Sequence, residues 1–273
     1  MSLVAFILGA GTHVGLVVAN RFKQKGYRVA IESRKPIQEG LVAINVDVSN
    51  TDSITKAFAE VKEKLGFAPN VIIFNGLPRL ITSDRGISQL AHYHLPLHSA
   101  YALTFPTVPG DPSTVELSAI KASIDITAAL YASMQQAVAG FRSLPAGNSV
   151  PRTFIFAGDM LPLLPRDVPL SAYLNLRLQM VDGAYLVEIF YIAHAKEGSR
   201  YGFLHSLRIR CSLTCSRSCG RFHYGNESKP DGSPAGEDWS GTAHAAAYWN
   251  AISREERGDW YLKFGPGGEL LPQ

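Results

Sequence analysis

The chain has 273 residues, of which 46% are hydrophobic and 18% are charged, and its formal net charge at pH 7 is +3. This composition is sufficient for one large buried core and excludes a disordered chain. The small, scattered positive charge also excludes a nucleic-acid-binding protein. No apolar run reaches the roughly 18 residues of a membrane span, and no secretory signal is recognisable. We therefore expect a cytoplasmic protein that does not associate with membranes.

The chain alternates between strand and helix patterns. The predicted strands cover residues 3–8, 28–33, 41–46, 71–74 and 152–156. The predicted helices cover residues 14–26, 51–65, 113–140, 171–196 and 242–257. Such alternation predicts the α/β class, a Rossmann-type doubly wound parallel sheet with helices on both faces.

Three details of this pattern are specific enough to be tested. Residues 113–116 form a capping box that predicts the start of a helix, and Gly183 predicts a break in the helix 171–196. Two segments, 199–205 and 220–224, compete for the strand after that helix. We predict a single domain, residues 1–273, with an irregular C-terminal cap at residues 206–239.

A glycine-rich loop lies between the first strand and the first helix. Gly9 allows a tight turn, Gly11 leaves the backbone bare, and Gly15 begins the helix, whose N-terminus attracts anions. This context predicts a dinucleotide site. Its proposed cofactor-binding residues are Gly9, Gly11, Thr12, His13, Val14 and Gly15. Two interpretations of the His13 ring stay open, a hydrogen bond to a phosphate and an orientation towards solvent.

The residues after the second strand bear on the choice of cofactor. An acidic residue at this place would bind the ribose hydroxyls of NAD. Ser33, Arg34 and Lys35 instead suit the 2′-phosphate of NADP, because a hydroxyl and two cations can form charge-assisted hydrogen bonds with it. Glu32 lies one position too early for the ribose contact and argues mildly for NAD. We predict NADP.

The loop resembles that of the short-chain dehydrogenase/reductase superfamily, with Leu8 in place of the usual Thr and His13 in place of the middle Gly. Asp47-Val48 matches the pair that lies near the adenine in that superfamily, and Asn75-Gly76 stands in place of its Asn-Asn-Ala-Gly motif. Residues 230–234 and 240–244 resemble the ending of atypical members that keep the fold but lose the catalytic set. The resemblance covers the order of elements over about residues 3–200.

The resemblance also implies a catalytic set, in which most positions are changed. Tyr173 would transfer the proton, and Arg177 replaces the family's Lys. Arg is bulkier than Lys and planar, so this replacement is not conservative. Gly158 or Asp159 stands in place of the Ser, and Asp125 stands in place of an Asn. An ionised Asp accepts hydrogen bonds but cannot donate one as an amide does.

These residues favour an NADP-dependent oxidoreductase that acts on the carbonyl/alcohol pair of a small organic substrate. A non-catalytic or repurposed member that binds NADP is the alternative. A third class, a cofactor-independent enzyme for a biosynthetic intermediate, also stays open. The same interpretation is compatible with a homo-oligomer.

Two other groups of residues were considered as sites. Cys211, Cys215 and Cys219 repeat every four residues, but their arginine-rich surroundings and their spacing match no common metal motif, so we predict no metal. Histidines at positions 92, 94 and 98 suit a loop that lines a substrate cleft. The sequence contains no Gly-x-Ser-x-Gly elbow, which argues against an α/β-hydrolase.

Overall fold

The computed structural model describes residues 3–9, 11, 13–33, 38–75, 112–145, 150–159, 174–194, 220–235 and 239–272. The strands are β1 (Val4–Leu8), β2 (Arg28–Glu32), β3 (Leu41–Ile44), β4 (Val71–Phe74), β5 (Thr153–Ala157), β6 (Arg221–Glu227) and β7 (Tyr261–Phe264). The helices are α1 (Gly15–Gln24), α2 (Thr51–Leu65), α3 (Leu117–Ser143), α4 (Leu174–Ala193) and α5 (Gly241–Ser253), and a short 3-10 turn covers Pro112–Thr114.

The seven strands form one parallel sheet in the order β3-β2-β1-β4-β5-β6-β7. Side chains of α2, α3 and α4 pack on one face of it, and side chains of α1 and α5 pack on the other. Strands covered on both faces carry continuous apolar sequences, as β1 and β4 do. The predicted Rossmann-type sheet and single domain are confirmed.

The structure also decides the sixth strand, which the sequence left open. Residues 221–227 pair with β5 on one side and with β7 on the other. The predicted cap over 206–239 is therefore wrong for these residues, because they lie inside the central sheet. The polar residues His223, Asn226 and Glu227 concealed this strand, although all three are buried. Residues 206–219, with the three cysteines, lie outside the described residues.

Two helix predictions are corrected. Helix α3 begins at Leu117, with Glu116 at the N-cap and no side-chain capping bond, because the preceding residues form the 3-10 turn. Helix α4 continues through Gly183 without a break. A Cβ at Gly183 would lie 2.3 Å from the Phe156 ring, so this glycine permits close packing of α4 on β5.

The short strand β7 was missed altogether. Its four residues carry too little pattern to be recognised alone, but they add an edge to the sheet beside β6. None of the helices in the described ranges has the length and hydrophobicity needed to cross a bilayer.

Candidate functional site

The strand order reverses between β1 and β4, and a crevice opens at the carboxyl ends of parallel strands at such a point. The residues that directly follow these strand ends include both cofactor and catalytic candidates. They are Gly9 after β1, Ser33 after β2, Asn75 after β4, and Gly158 and Asp159 after β5. The sheet topology thus places candidates that are far apart in sequence at the same edge of the sheet.

Hydrogen bonds from two neighbouring strand ends hold the first residue of the glycine loop. Gly9 has a positive φ of 82°, which favours glycine. Its carbonyl accepts a bond of 2.9 Å from the Asn75 side-chain amide, and its N–H donates to the Glu32 carboxylate at 2.6 Å. Asn75 and Glu32 therefore shape the start of the loop. The sequence pointed to Asn75 but did not anticipate this role of Glu32.

The N-terminus of α1 is suited to an anion. Val14 occupies the N-cap and provides no side-chain hydrogen bond, and the first turn carries no acidic residue. In α2, by contrast, the Asn50 side chain accepts from the amides of Asp52 and Ser53. The positive end of the α1 dipole is thus not offset by a capping side chain or a carboxylate. Gly11 leaves open space beside this end, since a Cβ there would have no atom of the described residues within 4 Å.

The His13 ring is directed towards the start of α5. It packs edge to face on the Trp239 ring at 4.6 Å between centroids, and its Nε2 lies 3.1 Å from the Trp239 carbonyl oxygen. The two orientations considered from the sequence did not include this contact, because Trp239 is more than two hundred positions away. Thr12, the neighbouring candidate, lies outside the described residues.

The residues that the sequence analysis assigned to the adenosine half of the cofactor are described in part. The Asp47 carboxylate accepts bonds from the Ser49 amide (3.0 Å) and hydroxyl (2.6 Å), so it shapes the turn before α2. Val48 is buried in this turn. The Ser33 N–H donates to the Ile44 carbonyl and extends the β2–β3 pairing. Arg34, Lys35 and Gly76 lie outside the described residues.

The catalytic candidates are only partly placed. Asp159 follows β5 at the crevice, and Asp125 is exposed on α3. Arg177 lies in α4, although its side chain is outside the described part, and Tyr173 lies outside it altogether. The proximity of Tyr173 to the cofactor thus stays a prediction.

A buried tyrosine that the sequence analysis did not consider organises the residues after β5. The Tyr224 hydroxyl accepts from the Asp159 N–H and donates to the Asp159 carbonyl, both at 2.9 Å. It also lies 3.7 Å from the Met180 sulfur on α4. A Cβ at Gly158 would come within 2.0 Å of the Tyr224 ring. A serine at position 158 is therefore excluded unless this ring moves.

Next to Tyr224, the side chains of Asn226, Ser228 and Tyr261 form a hydrogen-bonded group. The Asn226 amide donates to the Ser228 hydroxyl at 3.0 Å and to the Tyr261 hydroxyl at 3.1 Å. Burial raises the pKa of Tyr261, the bond from Asn226 lowers it, and the Asp159 charge raises it further. Tyr261 therefore keeps its proton at neutral pH.

Within the described ranges, no three His, Cys, Asp or Glu side chains are grouped so that they could hold a metal ion. The cysteines at positions 211, 215 and 219 and the histidines at positions 92, 94 and 98 lie outside these ranges.

The sequence and the fold were compared with known proteins. No family model matches the chain. It is 27% identical over 270 residues to a protein named short chain dehydrogenase/reductase dmxR12 from Cryptosporiopsis sp. (strain 8999), covering 97% of this chain and 93% of the relative.

Solved structures with the same fold include a 3-ketoacyl-(acyl-carrier-protein) reductase from Brucella melitensis complexed with NADH. It has a TM-score of 0.61 and 15% identity, and 97% of each chain is covered. A short-chain dehydrogenase/reductase family oxidoreductase from Brucella ovis, in complex with a partially ordered NAD, has a TM-score of 0.62 and 11% identity, with 97% of this chain and 99% of that chain covered.

Proposed function

We propose that this chain is a member of the short-chain dehydrogenase/reductase superfamily and an NADP-dependent oxidoreductase for the carbonyl/alcohol pair of a small organic substrate. The observation that carries the proposal is the uncapped N-terminus of α1 behind the Gly9 turn, at the strand-order reversal. Backbone amides without a side-chain cap and a helix dipole at this place suit a pyrophosphate. A cytoplasmic location remains part of the proposal.

The nicotinamide, when bound, supplies or accepts the hydride at the substrate carbon. The residues of this chain would bind the substrate and transfer one proton to or from the substrate oxygen. We assign this proton to the Tyr173 hydroxyl, with the Arg177 cation lowering the pKa of the phenol. Asp159 and Asp125 stand where the family has Ser and Asn and would accept hydrogen bonds from substrate or water.

For the 2′-phosphate we propose Ser33, Arg34 and Lys35. One oxygen of Glu32, the acid that would favour NAD, accepts the Gly9 N–H within the protein. The two cited Brucella structures contain NADH and NAD, which supports a nicotinamide cofactor in general. The preference for NADP is therefore inferred from the residues of this chain.

The cofactor proposal is tested by titrating NADPH and NADH against the wild type and Arg34→Ala. We expect tighter binding of NADPH, and a loss on the order of 1.5–3 kcal/mol in Arg34→Ala for a charge-assisted phosphate contact. NADH, which lacks the 2′-phosphate, is the matched control and should bind both proteins alike. Equal affinity of the wild type for both cofactors would contradict the proposal.

Turnover is tested by NADPH oxidation with a panel of ketones and aldehydes. We expect Tyr173→Phe to lose about 10²–10⁴-fold in rate, the usual contribution of general acid catalysis, and to bind NADPH as the wild type does. Unchanged turnover in Tyr173→Phe would exclude Tyr173 as the proton donor.

A non-catalytic NADP-binding protein is the second candidate, and one observation favours it. The Tyr224 ring leaves no room for a serine at position 158. Position 158 is one of the two at which the family's Ser, whose hydroxyl orients the substrate carbonyl, could stand. Tight NADPH binding without turnover on any carbonyl in the panel would support this candidate over the first.

We also propose that the protein forms a homodimer through α3 and α4. Of the eight large hydrophobic side chains exposed within the described residues, three lie on α3 and three on α4; they are Leu117, Ile124, Tyr131, Val181, Tyr185 and Ile189. Exposed apolar patches of this kind usually mark interfaces. Light scattering after size exclusion should show a dimer that Tyr185→Glu dissociates, whereas Phe67→Glu, on an exposed residue outside both helices, should not.

A further inference from the structure

A buried carboxylate–imidazole pair lies between the end of β6 and α5. Glu227 is 5% exposed and His244 is 4% exposed. The Glu227 Oε2 atom lies 3.1 Å from His244 Nδ1, and it accepts the backbone N–H of Ser240 at 2.7 Å. The Ser240 hydroxyl in turn accepts the amides of Thr242 and Ala243. One oxygen of Glu227 thus holds Ser240, the N-cap of α5, whose carbonyl oxygen lies 2.8 Å from His244 Nδ1.

This carboxylate is placed at a high energetic cost. Removing a carboxylate from water is costly unless hydrogen bonds replace the water, and the described residues place the Ser240 N–H and His244 Nδ1 at Oε2. The other oxygen, Oε1, is buried and has no hydrogen-bond partner within those residues, and the same holds for the Tyr248 hydroxyl. Burial raises the pKa of Tyr248, and the Glu227 charge raises it further. Apolar residues of similar volume often replace a buried pair without loss of stability, so core stability alone does not account for this pair.

The beginning of α5 touches the glycine loop directly. The Trp239 carbonyl and ring contact His13, as described above. A Cβ at Gly241 would lie 2.0 Å from the His13 carbonyl oxygen and 3.1 Å from a Val17 methyl group. The backbones at Gly241 and His13 are therefore so close that a methyl group does not fit between them. A shift of Ser240 would also move its neighbours Trp239 and Gly241, which both contact His13 in the glycine loop.

We propose that Glu227 and His244 are positioning residues for the dinucleotide. By fixing Ser240, the pair holds Trp239 and Gly241 against the glycine loop and keeps that loop in its binding geometry. Ordering a loop upon binding reduces affinity, so a loop that is ordered beforehand binds more tightly. This inference rests on the proposed function, because it requires that the loop binds the cofactor.

The test is a double-mutant cycle on cofactor affinity. Glu227→Gln removes the charge and keeps the shape, and His13→Ala removes the contact on the loop side. Each should raise the Kd for NADPH by about 3–10-fold, and the double variant should raise it hardly further, because both substitutions break one connection. Glu188→Gln changes a second buried carboxylate, on α4, and should leave the Kd unchanged. Thermal unfolding of all variants separates loss of affinity from loss of fold.

Unchanged Kd values in folded Glu227→Gln and His13→Ala would overturn the inference, and so would independent effects that multiply in the double variant. If Glu227→Gln does not fold, Gly241→Ala takes its place in the cycle with His13→Ala, and the same non-additive increase is expected. A wild type that binds neither NADPH nor NADH would instead overturn the proposed function itself. The two failures are therefore distinguishable.

Discussion

Gly158 and Tyr224 fit each other so closely that adding one methyl group should destabilise the protein measurably. In Gly158→Ala the new Cβ would lie 2.0 Å from Tyr224 Cζ and 2.4 Å from each of Cε1 and Cε2. The ring has little freedom to withdraw, because it packs against Phe156 at 5.5 Å and Tyr261 at 6.1 Å between centroids. Overpacking of this kind costs about 1–3 kcal/mol.

For a chain of this size, 1 kcal/mol corresponds to a Tm shift of roughly 2–4 °C, so Gly158→Ala should melt about 2–12 °C below the wild type. Differential scanning calorimetry measures this shift. Gly11→Ala is the matched control, because a Cβ at Gly11 has no atom within 4 Å in the part of the chain that the structure describes, and its Tm should stay close to that of the wild type.

A second step tests the cause of the loss. Tyr224→Leu shortens the side chain beneath Gly158, so adding Gly158→Ala to this variant should cost much less than it costs the wild type. The coupling free energy between the two positions should be about 0.5–3 kcal/mol. A wild-type Tm in Gly158→Ala, or strictly additive losses in the double variant, would refute the packing argument.

Two further predictions follow from buried polar groups. Tyr224→Phe removes the hydroxyl that bonds both backbone groups of Asp159, and the unfolding free energy in urea should fall by about 1–3 kcal/mol. An unchanged unfolding free energy would contradict this. Burial lowers the pKa of His223 to about 3, so this ring binds a proton in the unfolded chain at higher pH than in the folded one. Stability should therefore fall as pH drops below about 6.5, by about 2 kcal/mol between about pH 7.5 and about pH 5 from this group alone, and His223→Leu should show a smaller loss over the same interval. An equal loss in His223→Leu would contradict this assignment.

Local pattern alone predicted much of the sheet and its first helices. Residues 51–65 have their apolar side chains at helical spacing, and 71–74 are continuously apolar, so helix α2 and strand β4 have the predicted bounds. The glycine loop was equally visible, because its signal is the order strand, turn and helix within a dozen residues. Each of these features depends on neighbours in the chain.

Features that depend on distant contacts were not predictable. Strand β6 contains polar residues that are buried only because β5, β7 and α5 surround it, and β7 is recognisable only as the partner of β6. Gly183 would destabilise an isolated helix, but here its missing side chain leaves the space that the Phe156 ring occupies. The contacts of Glu32 and His13 at the loop, and that of Glu227 with Ser240, follow from the sheet order and from the packing of α5 on α1. The sequence by itself therefore determined which local elements and which loop exist, whereas the tertiary structure decided which side chains hold that loop in place.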